Sequence, residues 1–174
     1  MTDIEIIGDR QELFKRMKIS ELDFKDLCNS LDAWKMKSED LFYCASVLEL
    51  QLKNELKSIS IDSKVTASID RISSTYMLLI GYSFELLIKT IYVSRNLQPV
   101  FDHNLFLQIN RLNIVISDAE KHLLGRLTDV IYWEGRYPTP KKIDYFKEKR
   151  NVIVLSHDLV IIHDLYERLR AQIL

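Results

Sequence analysis

The sequence predicts an all-α fold, an up-and-down helical bundle of about five main helices with a long central helix. Apolar residues recur with a period near 3.6 along almost the whole chain, which is typical of amphipathic helices. The 174 residues include only 4 Gly and 3 Pro, which favours long uninterrupted elements over a turn-rich β-sandwich. We expect one domain, with a bundle core at 38–138, an N-terminal extension at 1–37, a basic linker at 139–155 and a last helix at 156–174.

Charge and cysteine usage exclude several classes of protein. The 24 Lys and Arg residues balance 25 Asp and Glu residues, whereas a generic nucleic-acid coat would be basic overall. Cys28 and Cys44 are too few for a disulfide framework, and each lies in an apolar stretch where a free cysteine is usually buried. The N-terminus lacks a signal-peptide pattern, and no apolar run approaches the ~20 residues that cross a bilayer. We expect a cytoplasmic protein without a membrane partner.

The first main helix is predicted to begin at Ser38, whose hydroxyl can cap a helix over 39–57. Its buried stripe is expected to contain apolar residues at three- and four-residue steps: Leu41, Cys44, Leu48 and Leu52. Val47 and Leu50 lie off this stripe, which suggests that a second side of the helix is also covered.

The second helix, over 65–96, is apolar nearly all round and is therefore expected at the centre of the bundle. Glu85 and Lys89 break its apolar pattern and lie four residues apart, so they can pair on one face. Two interpretations are open. A solvent-facing pair would contribute only a few tenths of a kcal/mol, whereas a buried pair would require further partners.

Three shorter helices complete the bundle. One is predicted over 104–112. Ser117 and Glu120 have the spacing of a capping box, which predicts a helix from there to about Trp133. The last helix is predicted to begin near Ser156 and to run to the C-terminus.

A turn after the fourth of these helices is predicted to fix two polar side chains. Gly135 can adopt the left-handed conformation that ends a helix, and Pro138 restricts Tyr137 to extended geometry. Arg136 would then be held in one direction. It can form a structural lock on Glu85, or it can clamp a phosphate, and both interpretations stay open.

His103 is a further candidate, as a packing or capping residue or as a ligand-binding residue. The four His residues show no metal-ligand spacing, and glycine-rich phosphate loops are absent, so we expect neither a metal nor another cofactor. The segment from Arg136 to Arg150 combines lysines with aromatic residues. This pattern suits a nucleotide or an RNA backbone, and it also suits a solvated linker.

The order of these residues resembles the HEPN superfamily, the nucleotide-binding domains of higher eukaryotes and prokaryotes. Between Ser38 and Pro138, the resemblance depends on three short patterns in a fixed order: Phe84-Glu85-x-x-x-Lys89, Asp102-His103-x-Leu105-x-x-x-Ile109 and Tyr132-x-x-x-Arg136-Tyr137-Pro138. The resemblance implies a helical bundle that commonly forms a homodimer. It also implies a bacterial toxin–antitoxin or defence context, in which a nucleotidyltransferase-type protein is a possible partner.

The resemblance leaves two functions open. In the first, the chain binds a nucleotide, RNA or a protein partner without catalysis; Lys89, His103, Arg136 and Tyr137 line the site and Glu85 organises Arg136. In the second, it is a metal-independent endoribonuclease, whose signature is an Arg followed by a polar residue and a later His. Arg150 and His157 fit that signature, with His157 as general base or acid and Arg150 stabilising phosphorane charge. Ser156, as the start of a new helix, would separate these two residues.

Overall fold

Five α-helices lie in the part of the chain that the structure describes, and they form the bundle that the sequence predicts. The structure is a computed structural model that describes residues 30–57, 63–100, 102–134, 154 and 156–173. The helices are α1 (Leu31–Lys57), α2 (Ser63–Ser94), α3 (Leu105–Arg111), α4 (Asp118–Asp129) and α5 (Ser156–Arg170), and a π-helical turn (Val130–Glu134) extends α4. These residues contain no strand. The all-α bundle with a long central helix is therefore confirmed.

Helix α1 begins eight residues before the predicted start at Glu39. The hydroxyl of Ser30 accepts a hydrogen bond from the Ala33 N–H at 3.3 Å, so Ser30 and not Ser38 caps the helix. Ser38 is fully buried inside α1, and its hydroxyl donates to the Ser83 carbonyl of α2 at 2.8 Å. The prediction that Ser38 starts the helix is wrong. The residues around a serine do not distinguish a helix cap from a serine buried in a helix interior.

Helices α1 and α2 form an antiparallel pair. Ser38 contacts Ser83 near one end of the pair, and Glu49 contacts Tyr76 nearer the other, so the sequence runs in opposite directions along the two helices. Buried residues surround much of α2: Tyr76, Met77, Ile80, Phe84, Leu87, Ile88 and Ile91. The part Ile72–Ser94 is long and apolar enough to cross a membrane, so the expectation that no apolar run approaches this length is wrong. The structure buries 67% of its most apolar window within the protein, as in a core helix.

The two faces of α1 differ from the predicted pattern. Ser38, Ala45, Glu49 and Leu52 occupy its buried face, while Cys44 is exposed. The expectation of a buried Cys44 is wrong because two polar residues take inward positions, where other helices satisfy their hydrogen bonds. Cys28 lies outside the described residues.

Helix α4 has the predicted capping box and the predicted length. The Ser117 hydroxyl accepts from the Glu120 N–H, and the Glu120 carboxylate accepts from the Ser117 N–H. Helical structure then continues to Glu134 through the π turn. This turn packs closely on α2 at Gly81, where an added Cβ would lie 2.8 Å from a side-chain carbon of Ile131.

A buried ion pair joins α4 to α5. Nη1 of Arg126 lies 2.8 and 2.9 Å from the two carboxylate oxygens of Asp158, and both residues are almost fully buried. The sequence did not predict this pair, because a separation of 32 residues along the chain gives no spacing signal. The pair fixes the first turn of α5 against the bundle core.

Candidate functional site

The candidate site is built on the buried pair Glu85 and Lys89 of α2. Lys89 Nζ lies 2.5 Å from Glu85 Oε1, and both side chains are less than one-tenth exposed. The interpretation of a solvent-facing pair is therefore wrong. A buried ion pair needs additional hydrogen bonds to compensate for its lost hydration, and the second carboxylate oxygen of Glu85 has such a bond.

That bond is with His103, in the loop before α3. Nδ1 of His103 lies 2.9 Å from Glu85 Oε2. An ionised carboxylate only accepts hydrogen bonds, so Nδ1 carries a proton and donates it. The bond fixes the orientation of the imidazole and leaves Nε2 as the nitrogen directed away from the carboxylate. The side chain is 41% exposed, so this ring is accessible at the surface.

The loop around His103 is held by a short series of hydrogen bonds. The Asp102 carboxylate accepts from the Asn104 N–H at 3.0 Å, and the Asn104 side chain caps α3 through the Leu107 N–H. The amide of Gln108 donates to the Asp102 carbonyl. These bonds order the backbone on both sides of His103 and so position its ring.

Tyr132, in the π turn, completes the exposed part of the site. Its hydroxyl donates to Asp102 Oδ1 at 2.8 Å, and its ring lies edge-on to His103 with centroids 5.5 Å apart. The hydrogen bonds from Tyr132 and from the Asn104 N–H lower the pKa of the Asp102 carboxyl below its ordinary value. Tyr132 is 46% exposed. It forms a joint aromatic surface with His103.

Trp34 contributes from α1. Lys89 Nζ lies 6.0 Å from the centroid of its ring, at the outer limit of a cation–π contact. This contact exists because α1 begins at Leu31, so Trp34 lies in its first turn. Lys89 is therefore enclosed between Glu85 and an aromatic ring, which leaves it little contact with solvent.

An open cavity of about 430 Å³ lies beside the site, between α3 and α4. Asn104 belongs to its wall and directly follows His103, and Asp129 lies one turn before Tyr132. Its lining residues are mostly polar: Asn104, Phe106, Asp118, Lys121, His122, Gly125, Thr128 and Asp129. Of the predicted site residues that the structure describes, Glu85, Lys89, His103 and His157, none lines this cavity.

The remaining predicted site residues are distributed differently. Arg136, Tyr137 and Arg150 lie outside the described residues, so the lock, the clamp and the Arg–His pair stay predictions. His157 is the second residue of α5, has a side chain that is 65% exposed, and places Nε2 3.6 Å from Asp158 Oδ1.

A second cluster repeats the composition of the first, and the sequence analysis missed it. Glu49 Oε1 lies 2.5 Å from Nζ of Lys53, four residues on, and Glu49 Oε2 lies 2.8 Å from Nε2 of His163 in α5. The buried Tyr76 hydroxyl also donates to Oε2 at 3.1 Å. The spacing Glu-x-x-x-Lys within an apolar stretch was the available signal, and it occurs at 49–53 as well as at 85–89.

The pKa values of this second cluster follow from its hydrogen bonds. Burial alone would raise the pKa of Glu49, but the bonds from Lys53 and His163 outweigh burial and bring the value below the ordinary 4.5. Burial and the neighbouring Glu49 charge raise the pKa of the Tyr76 phenol, which therefore stays a neutral donor.

Comparison of the chain with family models, with curated proteins and with solved structures finds no match. Within the described ranges, no group of three or more His, Cys, Asp or Glu residues could hold a metal ion.

Proposed function

We propose that this chain is a HEPN-like helical module that binds a nucleotide or an RNA segment at the surface formed by His103 and Tyr132. One observation carries the proposal. Residues from all three of the patterns behind the family resemblance contact one another: Glu85 binds Lys89 and His103, and Tyr132 contacts His103. Residues 85 and 132 are far apart in sequence, so the fold and not the local sequence brings them together.

The chemistry of this surface suits a nucleobase. Single-stranded nucleic acids are commonly recognised by stacking on exposed aromatic and imidazole rings and by hydrogen bonds to base edges. The Tyr132 and His103 rings can stack on a base, and His103 Nε2 can form a hydrogen bond with a base edge. Tyr132 also lies in a π-helical turn, a structure that occurs frequently at functional sites.

Lys89 has a supporting part in this proposal, which revises its expected role as a ligand-binding residue. Its side chain is 7% exposed, and its ammonium lies 2.5 Å from Glu85 Oε1. The charges of Lys89 and Glu85 cancel, so the pair presents no strong field to a phosphate. Its part in the site is to orient His103 through Glu85. We assign phosphate binding to Arg136 and the basic segment that follows it.

Calorimetric titration tests the proposal with AMP, ADP, ATP, GTP and a short single-stranded RNA. We expect at least one of these ligands to bind to the wild type, and His103→Gln to weaken that binding by about tenfold or more through loss of one oriented polar contact. His163→Gln is the matched control, because His163 also bonds a buried glutamate and is 45% exposed. The absence of heat with all five ligands would contradict the proposal, as would equal binding by His103→Gln.

Two further variants separate the open interpretations. If Arg136 is a clamp, Arg136→Ala abolishes binding at unchanged thermal stability, and if it is a lock, the same variant lowers thermal stability.

Incubation with single-stranded RNA tests the endoribonuclease alternative. RNA cleavage that His157→Ala removes would replace the binding proposal with metal-independent catalysis, whereas intact RNA supports binding alone.

A further inference from the structure

We infer that the cavity between α3 and α4 is a subsite for ribose, so that the ligand is a ribonucleotide, free or within a strand, and not a deoxyribonucleotide. The inference rests on the proposed function, because it concerns the sugar of the nucleotide whose base stacks on His103 and Tyr132. The cavity has a volume of about 430 Å³. This value lies within the range of roughly 300–1,000 Å³ that is typical of small-molecule sites.

The cavity begins beside the surface formed by His103 and Tyr132. Two hydrogen bonds hold the loop that carries His103 against α4 and its π turn: Asp102 accepts from Tyr132, and the Leu105 N–H donates to the Thr128 hydroxyl at 3.2 Å. His103 lies between these two points along the loop, and Thr128 belongs to the cavity wall. A base that stacks on the His103 ring therefore has its sugar next to the cavity.

One face of α4 forms a wall of this cavity along the whole helix. The lining residues recur at steps of one and three residues, which places them on one side of the helix: Asp118, Lys121, His122, Gly125, Thr128 and Asp129. They extend over about 16 Å of the helix axis. Asp129 lies at the end nearest to Tyr132, and Asp118 lies at the far end.

Gly125 makes room for a ligand on this face. A glycine in a helix interior destabilises the helix relative to alanine, and it is used where another group approaches the backbone closely. Because Gly125 lines the cavity, its missing side chain leaves the backbone of α4 bare there. On the α3 side, Phe106 contributes an aromatic ring, with Lys121 Nζ 5.0 Å from its centroid. This ring provides an apolar surface for the carbon atoms of a sugar.

The charges of the lining favour hydroxyl groups over a phosphate. Two carboxylates, Asp118 and Asp129, accompany one lysine and one histidine, so the lining has no excess of positive charge. A carboxylate accepts hydrogen bonds from ribose hydroxyls, as the acidic residue of dinucleotide sites does from the 2′-hydroxyl. We assign this role to Asp129. A carboxylate has about four acceptor positions, so it can bind a ligand and the protein at the same time.

Calorimetric titration of the full chain with matched ligand pairs tests the subsite. The pairs are ATP and GTP against their 2′-deoxy forms, and a short single-stranded RNA against DNA of the same sequence. We expect the wild type to bind the ribose member about tenfold more tightly, through one hydrogen bond to a charged group. A preference within the nucleotide pairs identifies a free nucleotide as the source of the ribose, and a preference confined to the RNA pair identifies a strand.

Two carboxylate variants test the assignment to Asp129. Asp129→Asn should reduce the ribose preference to about threefold or less. Asp118→Asn is the matched control, because it makes the same change on the same face about 16 Å away and should keep the preference. A preference that Asp118→Asn removes and Asp129→Asn keeps overturns the placement of ribose at the His103 end.

A variant that fills the cavity tests the subsite without removing a polar group. Gly125→Leu should fold with an unchanged or higher Tm, because leucine is a better helix former than glycine. We expect it to bind ribose ligands about tenfold more weakly, at the level of the deoxy forms. Ala119→Leu is the matched control, because it adds the same side chain at an exposed position of α4 that does not line the cavity, and it should bind like the wild type.

The outcomes separate this inference from the proposed function. Equal affinity for ribose and deoxyribose ligands, with binding still weakened in His103→Gln, overturns the ribose subsite and leaves the proposed function standing. Wild-type binding by Gly125→Leu does the same. The absence of binding by every ligand overturns the proposed function, and the subsite with it.

Discussion

Two clusters in this protein have the same parts but different surroundings. In each, a buried glutamate holds a lysine four residues on through one oxygen and a histidine through the other. The histidines are similarly exposed, at 41% for His103 and 45% for His163. The lysines differ: Lys89 is 7% exposed, whereas Lys53 is 50% exposed.

This difference changes what each glutamate does. Lys53 can be hydrated without Glu49, and Glu49 has a second buried donor in Tyr76. Lys89 is buried against Glu85 and Trp34, so its charge has little hydration. The hydrogen bonds of Glu49 therefore hold α1, α2 and α5 together. Glu85, in contrast, compensates the desolvated charge of Lys89 and also fixes the orientation of His103.

Removal of the glutamate charge should produce the largest contrast. Glu85→Gln removes the carboxylate that lies 2.5 Å from the buried Lys89 ammonium, which we expect to cost about 3 kcal/mol, or about 6–12 °C in Tm. Glu49→Gln keeps the shape of the side chain, and its lysine partner Lys53 is half-exposed and can be hydrated. We therefore expect a loss of stability of about 1–2 kcal/mol. Thermal unfolding followed by circular dichroism measures both values. Equal losses would show that burial of the lysine does not distinguish the clusters.

Removal of the lysine should give the next largest contrast. Lys89→Met replaces a buried ammonium with an apolar side chain of similar length and removes this cation from the buried Glu85 carboxylate, at an expected cost of about 2 kcal/mol. Lys53→Met affects a half-exposed pair and should cost less than about 1 kcal/mol. Denaturant unfolding of both variants checks the difference. A larger loss in Lys53→Met would contradict the assignment.

The pH dependence of stability should reveal Glu49 at acidic pH. Its pKa in the folded protein lies below the ordinary 4.5, so the unfolded chain binds this proton more readily. The stability that Glu49 contributes is complete above the ordinary pKa and is lost as pH falls through the folded value. The stability gap between wild type and Glu49→Gln should therefore narrow steadily below about pH 4.5. Unfolding measured from pH 7 to pH 3 tests this; a constant gap would contradict it.

The sequence predicted the helices well because their apolar period and caps are local signals. The Ser117–Glu120 capping box and the apolar residues that lie nearly all round α2 are both recognisable from residues close together in the sequence. The pairing of Glu85 with Lys89 was predictable for the same reason. The burial of that pair was not, because burial depends on Trp34 and on a loop 18 residues away.

Failures of prediction concentrate where polar residues are buried. Ser38 and Glu49 lie inside because partners on other helices satisfy them, and this rotates the buried face of α1 away from Cys44. Arg126 and Asp158 pair across 32 residues of chain. Hydrophobic periodicity assumes that polar residues face water, so each of these long-range pairs is invisible to it.

Replacement of the histidines should have the smallest effect on stability and the clearest effect on function. Both rings are more than two-fifths exposed and each makes one bond to its glutamate, so His103→Gln and His163→Gln should each cost less than about 1 kcal/mol. Only His103 shares its surface with Tyr132. We therefore expect equal Tm shifts in the two variants, with ligand binding lost in His103→Gln alone. A Tm shift confined to His103→Gln, with ligand binding intact, would contradict this assignment. It would show that the Glu85 cluster, like the Glu49 cluster, stabilises the fold and does not bind a ligand.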